Sequence, residues 1–431
     1  MPPILSKHYL SRKPSAIREA QITFSKRLDK DTVNVINLAI GNITLPIHPS
    51  MKKRLDSLGI TRFKDGVIKY TPTVGTNEAQ DAFLNILKSE NINVKGIDCL
   101  ITDGGSAAME LMLLGVCGPA SEKPIMLLDP TYTNYDEFSK RLSIPTITSN
   151  RTLNNDGSFE PLDIDLIENI IKEKNPLGIV IIPYDNPSGQ YLDQKTLIDI
   201  SKICVKNNMW IISDEAYRSL VYEKNVISSS IWRIREEEVP GIKGRRISIE
   251  SASKVWNACG LRIGALLTDN NIFHEKATSE YTANLSANAI GQDIFGALAH
   301  ESTDSLSKWY NKQKLYYKSI MFELRDSLIK AIPGLIVSKP QASIYIILDF
   351  KNICTDNFNV KNFTHYCAKV GKVKIKDKYY TLLLAPMEGF YKDLNRGKTQ
   401  MRLAVVEPSE KIKYTPIVLK TLLDEYFLKN T

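Results

Sequence analysis

The sequence predicts an α/β protein, with a mostly parallel sheet in a large unit and a smaller α+β unit at the C-terminal end. Two observations carry this. From about Asp98 to Thr268, short apolar runs alternate with stretches of helical periodicity, the pattern of a parallel sheet covered by helices on both faces. Beyond Pro333 and Gly334 that alternation gives way to a mixed pattern of strands and a closing helix. Length agrees, since 431 residues hold two or three cores at roughly 150 residues per domain.

Taken in order, residues 1 to about 50 read as irregular, with one short apolar run, Val35 to Ile40, closed by Gly41. The strand candidates that follow are 99–102, 125–129, 178–183, 210–215, 246–251 and 263–268. Helical stretches lie between them, clearest at 105–117 and 192–207. A long charged amphipathic helix is predicted from Ser305 to Ile332, then strands at 343–350 and 401–406, and a last helix from Tyr414 to Leu428. The expected division is an N-terminal segment (1–50) packing with the small unit, a large α/β domain (51–304) and a small α+β domain (305–431).

Composition narrows the class. With 43% hydrophobic and 24% charged residues, 22 Gly and 20 Pro, usage is close to the globular average, which excludes collagen, coiled coil and disorder. The net charge of +8 is spread along the chain apart from a basic cluster, Lys369 to Lys378, and no groove-reading motif accompanies it. No nucleic-acid partner is expected, only a mild attraction for anionic substrates. The six cysteines show no CxxC pair and no zinc spacing, so they read as reduced thiols. The N-terminus lacks a signal-peptide core, and no stretch of about 18 apolar residues would span a membrane. A cytoplasmic location is the expectation.

Several motifs fail on spacing. Gly397-Lys398-Thr399 resembles the end of a phosphate loop, but Lys392 stands where a Gly is needed. His274-Glu275 starts a zinc-protease pattern that Thr278 breaks, and no GxGxxG fingerprint is present. Three signals hold. Thr102-Asp103-Gly104-Gly105-Ser106-Ala107 joins a strand to a helix, where free backbone N–H groups, the helix dipole and close-approach glycines suit a phosphate. Asp214 ends an apolar strand at the edge where open α/β sheets bind ligands, though an Asp there can also cap the next helix. Lys254 follows another strand, with Ser251 and Ser253 before it and Arg262 after it, the setting for a Schiff-base lysine beside a phosphate.

A lysine for an aldehyde, a carboxylate for a pyridinium nitrogen and an anion cradle together are the needs of pyridoxal 5′-phosphate. Over about residues 37 to 407, the sequence resembles the class I/II aminotransferases of fold type I. The resemblance implies that Lys254 carries the cofactor as a Schiff base and shuttles the substrate's Cα proton. It implies that Asp214 meets the ring nitrogen and that Tyr217 and Asn186 hydrogen-bond the ring's phenolic oxygen. Gly105, Ser106, Ala107, Ser251 and Arg262 would form the phosphate cup, and Tyr132 would stack on the ring. Tyr70 resembles the tyrosine that reaches the phosphate of a neighbouring subunit, which implies a homodimer with shared sites. Arg402 would pair with the substrate α-carboxylate, and Gly41 belongs to a segment that closes over substrate.

The implied activity is ping-pong transfer of an amino group from an α-amino acid to a 2-oxo acid. Residues 277–300, where dicarboxylate-specific relatives carry a partner-subunit arginine, contain none, which puts aspartate specificity in doubt. Ala258-Cys259 stands where many relatives have a proline, a departure of little consequence. The same motifs also serve β-eliminating lyases, racemases and decarboxylases of this fold, and a pyridoxal-phosphate-binding protein without catalysis is a further alternative.

Overall fold

Before its first strand, β1 (Val33–Asn37), the chain of the computed structural model forms two short helices, Lys7–Ser11 and Ala16–Ser25. The structure describes residues 3–12, 14–223, 226–355 and 357–430. The N-terminal segment is therefore not irregular as its sequence suggests. Good helix formers such as Arg18, Glu19 and Gln21 drive the second helix although its apolar stripe is short.

Seven strands build the main sheet: β2 (Asp98–Thr102), β3 (Ile125–Asp129), β4 (Thr146–Asn150), β5 (Gly178–Ile181), β6 (Trp210–Asp214), β7 (Arg246–Ser251) and β8 (Gly264–Thr268). Their order is β2-β8-β7-β6-β5-β3-β4. All pairings are parallel except those of β8, which runs antiparallel to both β2 and β7. Alternation along the strands feeds two cores, with Ile179, Ile181 and Ile211 in one and Val180, Ile182 and Ile212 in the other. This two-sided burial is why the strands read as unbroken apolar runs. β4 escaped the sequence because its residues, Thr146 to Asn150, are mostly polar and lie at the sheet edge.

The remaining strands are β9 (Ile336–Val337), β10 (Tyr345–Asp349), β11 (Val373–Ile375), β12 (Lys378–Leu383), β13 (Ala385–Pro386) and β14 (Gln400–Ala404). They form a four-stranded sheet, β13-β14-β10-β9, and a three-stranded one, β1-β12-β11, in which β1 pairs parallel with β12. A third core joins Ile36 and Leu38 near β1 to Ile346, Leu348 and Leu403, and it also takes in Tyr217 and Tyr345. The helix Thr303–Ala331 covers it with Tyr317, Met321 and Leu324. Among the described residues no helix is long and apolar enough to cross a membrane, and no group of three His, Cys, Asp or Glu could hold a metal.

Candidate active site

Strands β2, β3, β5, β6 and β7 share one direction, because β2 and β7 both oppose β8. Their carboxyl ends therefore face one edge of the sheet, the place where open α/β sheets bind ligands. A cavity of about 610 Å³ opens there. The loops lining it leave successive strand ends: Gly105 and Ser106 after β2, Tyr132 after β3, Asn186 after β5, Asp214 and Tyr217 at β6, and Ser251 and Lys254 at β7. The predicted residues scattered over the sequence are one site because the topology folds them onto one rim.

Asp214 is buried, accepting from the Tyr135 hydroxyl at 3.0 Å and from the Ala216 N–H at 3.1 Å. No cation pairs with it among the described residues. Burial pushes its carboxyl up from 3.8 to about 6, with those hydrogen bonds pulling the other way. A buried acid with one cationic partner missing fits a protonated ring nitrogen.

On the phosphate side, the helix Gly105–Val116 starts without a side-chain cap, and its N-cap Gly104 has φ 77°. A β-carbon at Gly104 would strike the Arg262 guanidinium, and one at Gly264 would strike the Gly105 N–H. Both glycines let Arg262 and the helix N-terminus crowd together, leaving backbone N–H groups, the Ser251 hydroxyl and a guanidinium on one rim. That donor set suits a phosphate. Ala107 lies in the same first turn but does not line the cavity.

The N-terminal segment and the small sheets close the opposite side. The Lys254 Nζ donates to the Gly41 carbonyl at 2.6 Å. A side chain at Gly41 would come within 2.8 Å of the Tyr345 hydroxyl and 3.1 Å of that Nζ, so only glycine passes the chain this close. Arg402, on β14, is buried under Tyr345 and Phe390, its guanidinium 4.3 and 5.0 Å from their ring centres. It donates to Asn186 Oδ1 at 2.9 Å and to the Ala39 carbonyl at 2.6 Å, while its Nε has no partner. Among the described residues no carboxylate pairs with it. A guanidinium buried without an anion is incomplete, and it matches a substrate carboxylate.

The structure thus gathers eleven of the predicted residues, namely Gly41, Gly105, Ser106, Tyr132, Asn186, Asp214, Tyr217, Ser251, Lys254, Arg262 and Arg402. Tyr70 is not among them; it is 78% exposed, away from the cavity of its own chain. Sequence reasoning missed Tyr135, Tyr345 and Arg18. Tyr135 lies three residues after Tyr132, one helical turn on, and that spacing was the available signal. Tyr345 shares a 2.6 Å hydrogen bond with the Tyr217 hydroxyl and was hidden in an apolar strand. Arg18 reaches the cavity mouth from a helix that the sequence did not reveal.

Fold and cavity together define a fold type I enzyme of the pyridoxal 5′-phosphate class. A model of the family described as aminotransferase class I and II matches residues 33–384. The chain is 26% identical over 340 residues to an aspartate aminotransferase of Sulfolobus acidocaldarius, covering 76% of this chain and 78% of that one. It is 25% identical over 384 residues to an aspartate aminotransferase of Pyrococcus horikoshii, covering 86% and 88%. The solved N-succinyldiaminopimelate aminotransferase of Mycobacterium tuberculosis superposes with a TM-score of 0.80 at 18% identity, covering 97% of this chain and all of that one, and so shares the fold. The chain belongs to the class I and II aminotransferase family. It is a pyridoxal-phosphate-dependent aminotransferase of amino acids.

Proposed function

We propose that the cavity accepts an α-amino acid and a 2-oxo acid in turn, with Arg402 holding the α-carboxylate of each. The observation behind this is the buried Arg402 guanidinium, which has no anionic partner in the cavity it shares with Lys254. When bound, pyridoxal 5′-phosphate supplies an aldehyde that joins reversibly to amines and a ring that withdraws electrons from the adjoining carbon. Asp214 would hold the ring nitrogen, Tyr217 and Asn186 would donate to the ring oxygen, and Tyr132 would cover a ring face. Gly105, Ser106, Ser251 and Arg262 would take the phosphate. Lys254 Nζ would take the proton from the substrate Cα.

Arg18 narrows the substrate class. It lines the cavity mouth, and no acid pairs with it among the described residues. It is placed to bind a second anionic group, so amino acids with an acidic side chain are the preferred donors despite the arginine-free stretch at 277–300. Tyr70, exposed on its own chain, completes the phosphate cup of a second copy, which makes the active unit a homodimer. The chain divides functionally into the segment 1–50, the domain 51–304 and the domain 305–431, the first and last roofing the middle one.

A panel of donors tests the reading. Amino acids should outperform the same amines lacking the carboxylate by about 100-fold in kcat/KM, the worth of a charge-assisted bidentate pair. Equal turnover of an amine without a carboxylate would remove Arg402 from its role.

A further inference from the structure

Beneath the rim lies a second group of ionisable side chains that no step above uses. Arg218 is buried among three acids: Glu215, Glu250 and Glu90. Its guanidinium contacts Glu215 Oε2 at 3.0 Å and Glu90 Oε2 at 3.4 Å, and its Nε donates to Glu250 Oε2 at 3.2 Å. The four side chains are at most 7% exposed. Serines supply further donors, Ser213 and Ser230 to Glu215 at 3.0 and 2.9 Å, and Ser248 to Glu250 at 3.0 Å.

The charges do not balance. Three carboxylates contact one guanidinium; a second, that of Arg233, acts on Glu90 alone and hydrogen-bonds its backbone carbonyl, which still leaves one negative charge in excess. Uncompensated negative charge away from water is costly, and taking up a proton relieves it. Burial pushes Glu250 up to about 7 and raises Glu90 as well, with Arg218 opposing both and Arg233 opposing the rise of Glu90.

The group also sits where it can act. Glu215 follows Asp214 in sequence, and Glu250 precedes Ser251 on the adjacent strand. The negative charge of Glu215 adds to the upward shift of Asp214. A cavity of about 10 Å³, room for one water, lies between the acids and Ser251. Tyr310, whose hydroxyl has no partner, lines it too. Ala216 and Ser251 line both this cavity and the main one, so a single layer of residues separates them. The other ionisable groups in the surroundings are Cys99, Tyr184 and Lys314. Burial disfavours charge on Cys99 and Tyr184, and on Lys314 it works against the attraction of Glu90.

We propose that the Arg218 cluster is a buried proton-holding site that tunes Asp214: its acids share one proton, and losing that proton strengthens the negative field at the carboxylate that faces the cofactor's ring nitrogen. The cluster touches neither substrate nor cofactor and acts only through Asp214. The role rests on the assignment of Asp214 to that nitrogen, whereas the existence of the shared proton does not.

Two readouts separate those claims. In the cofactor-free protein, infrared difference spectra should show the carbonyl stretch of a neutral carboxylic acid near pH 7. That band should fade as pH rises, persist in Asp214→Asn and be lost in Glu250→Gln. In protein loaded with ¹⁵N-labelled pyridoxal 5′-phosphate, the ring-nitrogen resonance should shift over the same pH range, and Glu250→Gln should flatten that shift. Should Glu250→Gln fail to fold, Glu90→Gln serves in its place, with the same two losses expected. Absence of a neutral carboxyl near pH 7 in Asp214→Asn would overturn the shared proton. A ring-nitrogen shift that survives in the Gln variant would overturn the tuning of Asp214.

Discussion

The two sides of the cavity are built differently. Its floor comes from consecutive strand ends of one sheet, so Asp214 and Ser251 end buried parallel strands whose register fixes their spacing, and Lys254 follows three residues after Ser251. Its roof is assembled from segments far apart in sequence, with Arg18 and Gly41 at one end of the chain and Tyr345 and Arg402 at the other. On the proposed roles, the floor carries the groups that hold the cofactor and move the proton, and the roof the cations that select a substrate. Chemistry is then anchored on the buried sheet, and selectivity on segments that can change without disturbing it.

Breaking the floor should cost most. Lys254→Ala should lower turnover by about 10⁴-fold, since among the described residues no other lysine lines the cavity to take the Cα proton; single-turnover rates with a saturating amino acid measure it. At the roof, Arg402→Lys should raise KM for amino acids by about 100-fold, because an ammonium cannot form the bidentate pair, while affinity for the cofactor stays as it was. A loss of cofactor binding in that variant would blur the division between the two sides.

Asp214 offers a test that needs no substrate. Its carboxyl is raised from 3.8 to about 6 in the folded, cofactor-free protein. A raised acid contributes stability while protonated, so this contribution is present below about pH 4 and is lost as pH climbs to about 6, a change of about 3 kcal/mol. Asp214→Asn removes that dependence. Thermal melts of both proteins across this range should diverge by that amount, with the variant gaining at the higher pH; parallel curves would mean that Asp214 is not strained. The smallest effect belongs to the mouth of the roof. Arg18→Met should raise KM for amino acids with acidic side chains by about tenfold and leave neutral ones unchanged.

The same contrast explains what the sequence could reveal. Asp214, Lys254 and the Gly104-Gly105 turn were legible because each closes a buried strand, so apolar runs point straight at them. β8 was legible as a strand but not in direction, since antiparallel and parallel strands buried on both faces carry the same apolar pattern. The roof was harder to read. Arg402 emerged only from the resemblance, and Arg18 not at all, because nothing local marks a surface arginine on a short helix as lining a cavity formed by residues hundreds of positions away. Glu215, Arg218 and Glu250 lay in the same motifs as Asp214 and Ser251, yet only the parallel register of β6 and β7 brings them together, and Glu90 joins them from the end of the helix Asn77–Ser89.

The most direct test of the central claim is the visible absorption of the cofactor-loaded protein, followed as an α-amino acid with an acidic side chain is added without any 2-oxo acid, and then as a 2-oxo acid is supplied. The band should be lost on the first addition, with one equivalent of new 2-oxo acid released, and restored on the second. A band that persists while ammonia is released from the amino acid would contradict it, because the cavity would then be eliminating rather than transferring the amino group.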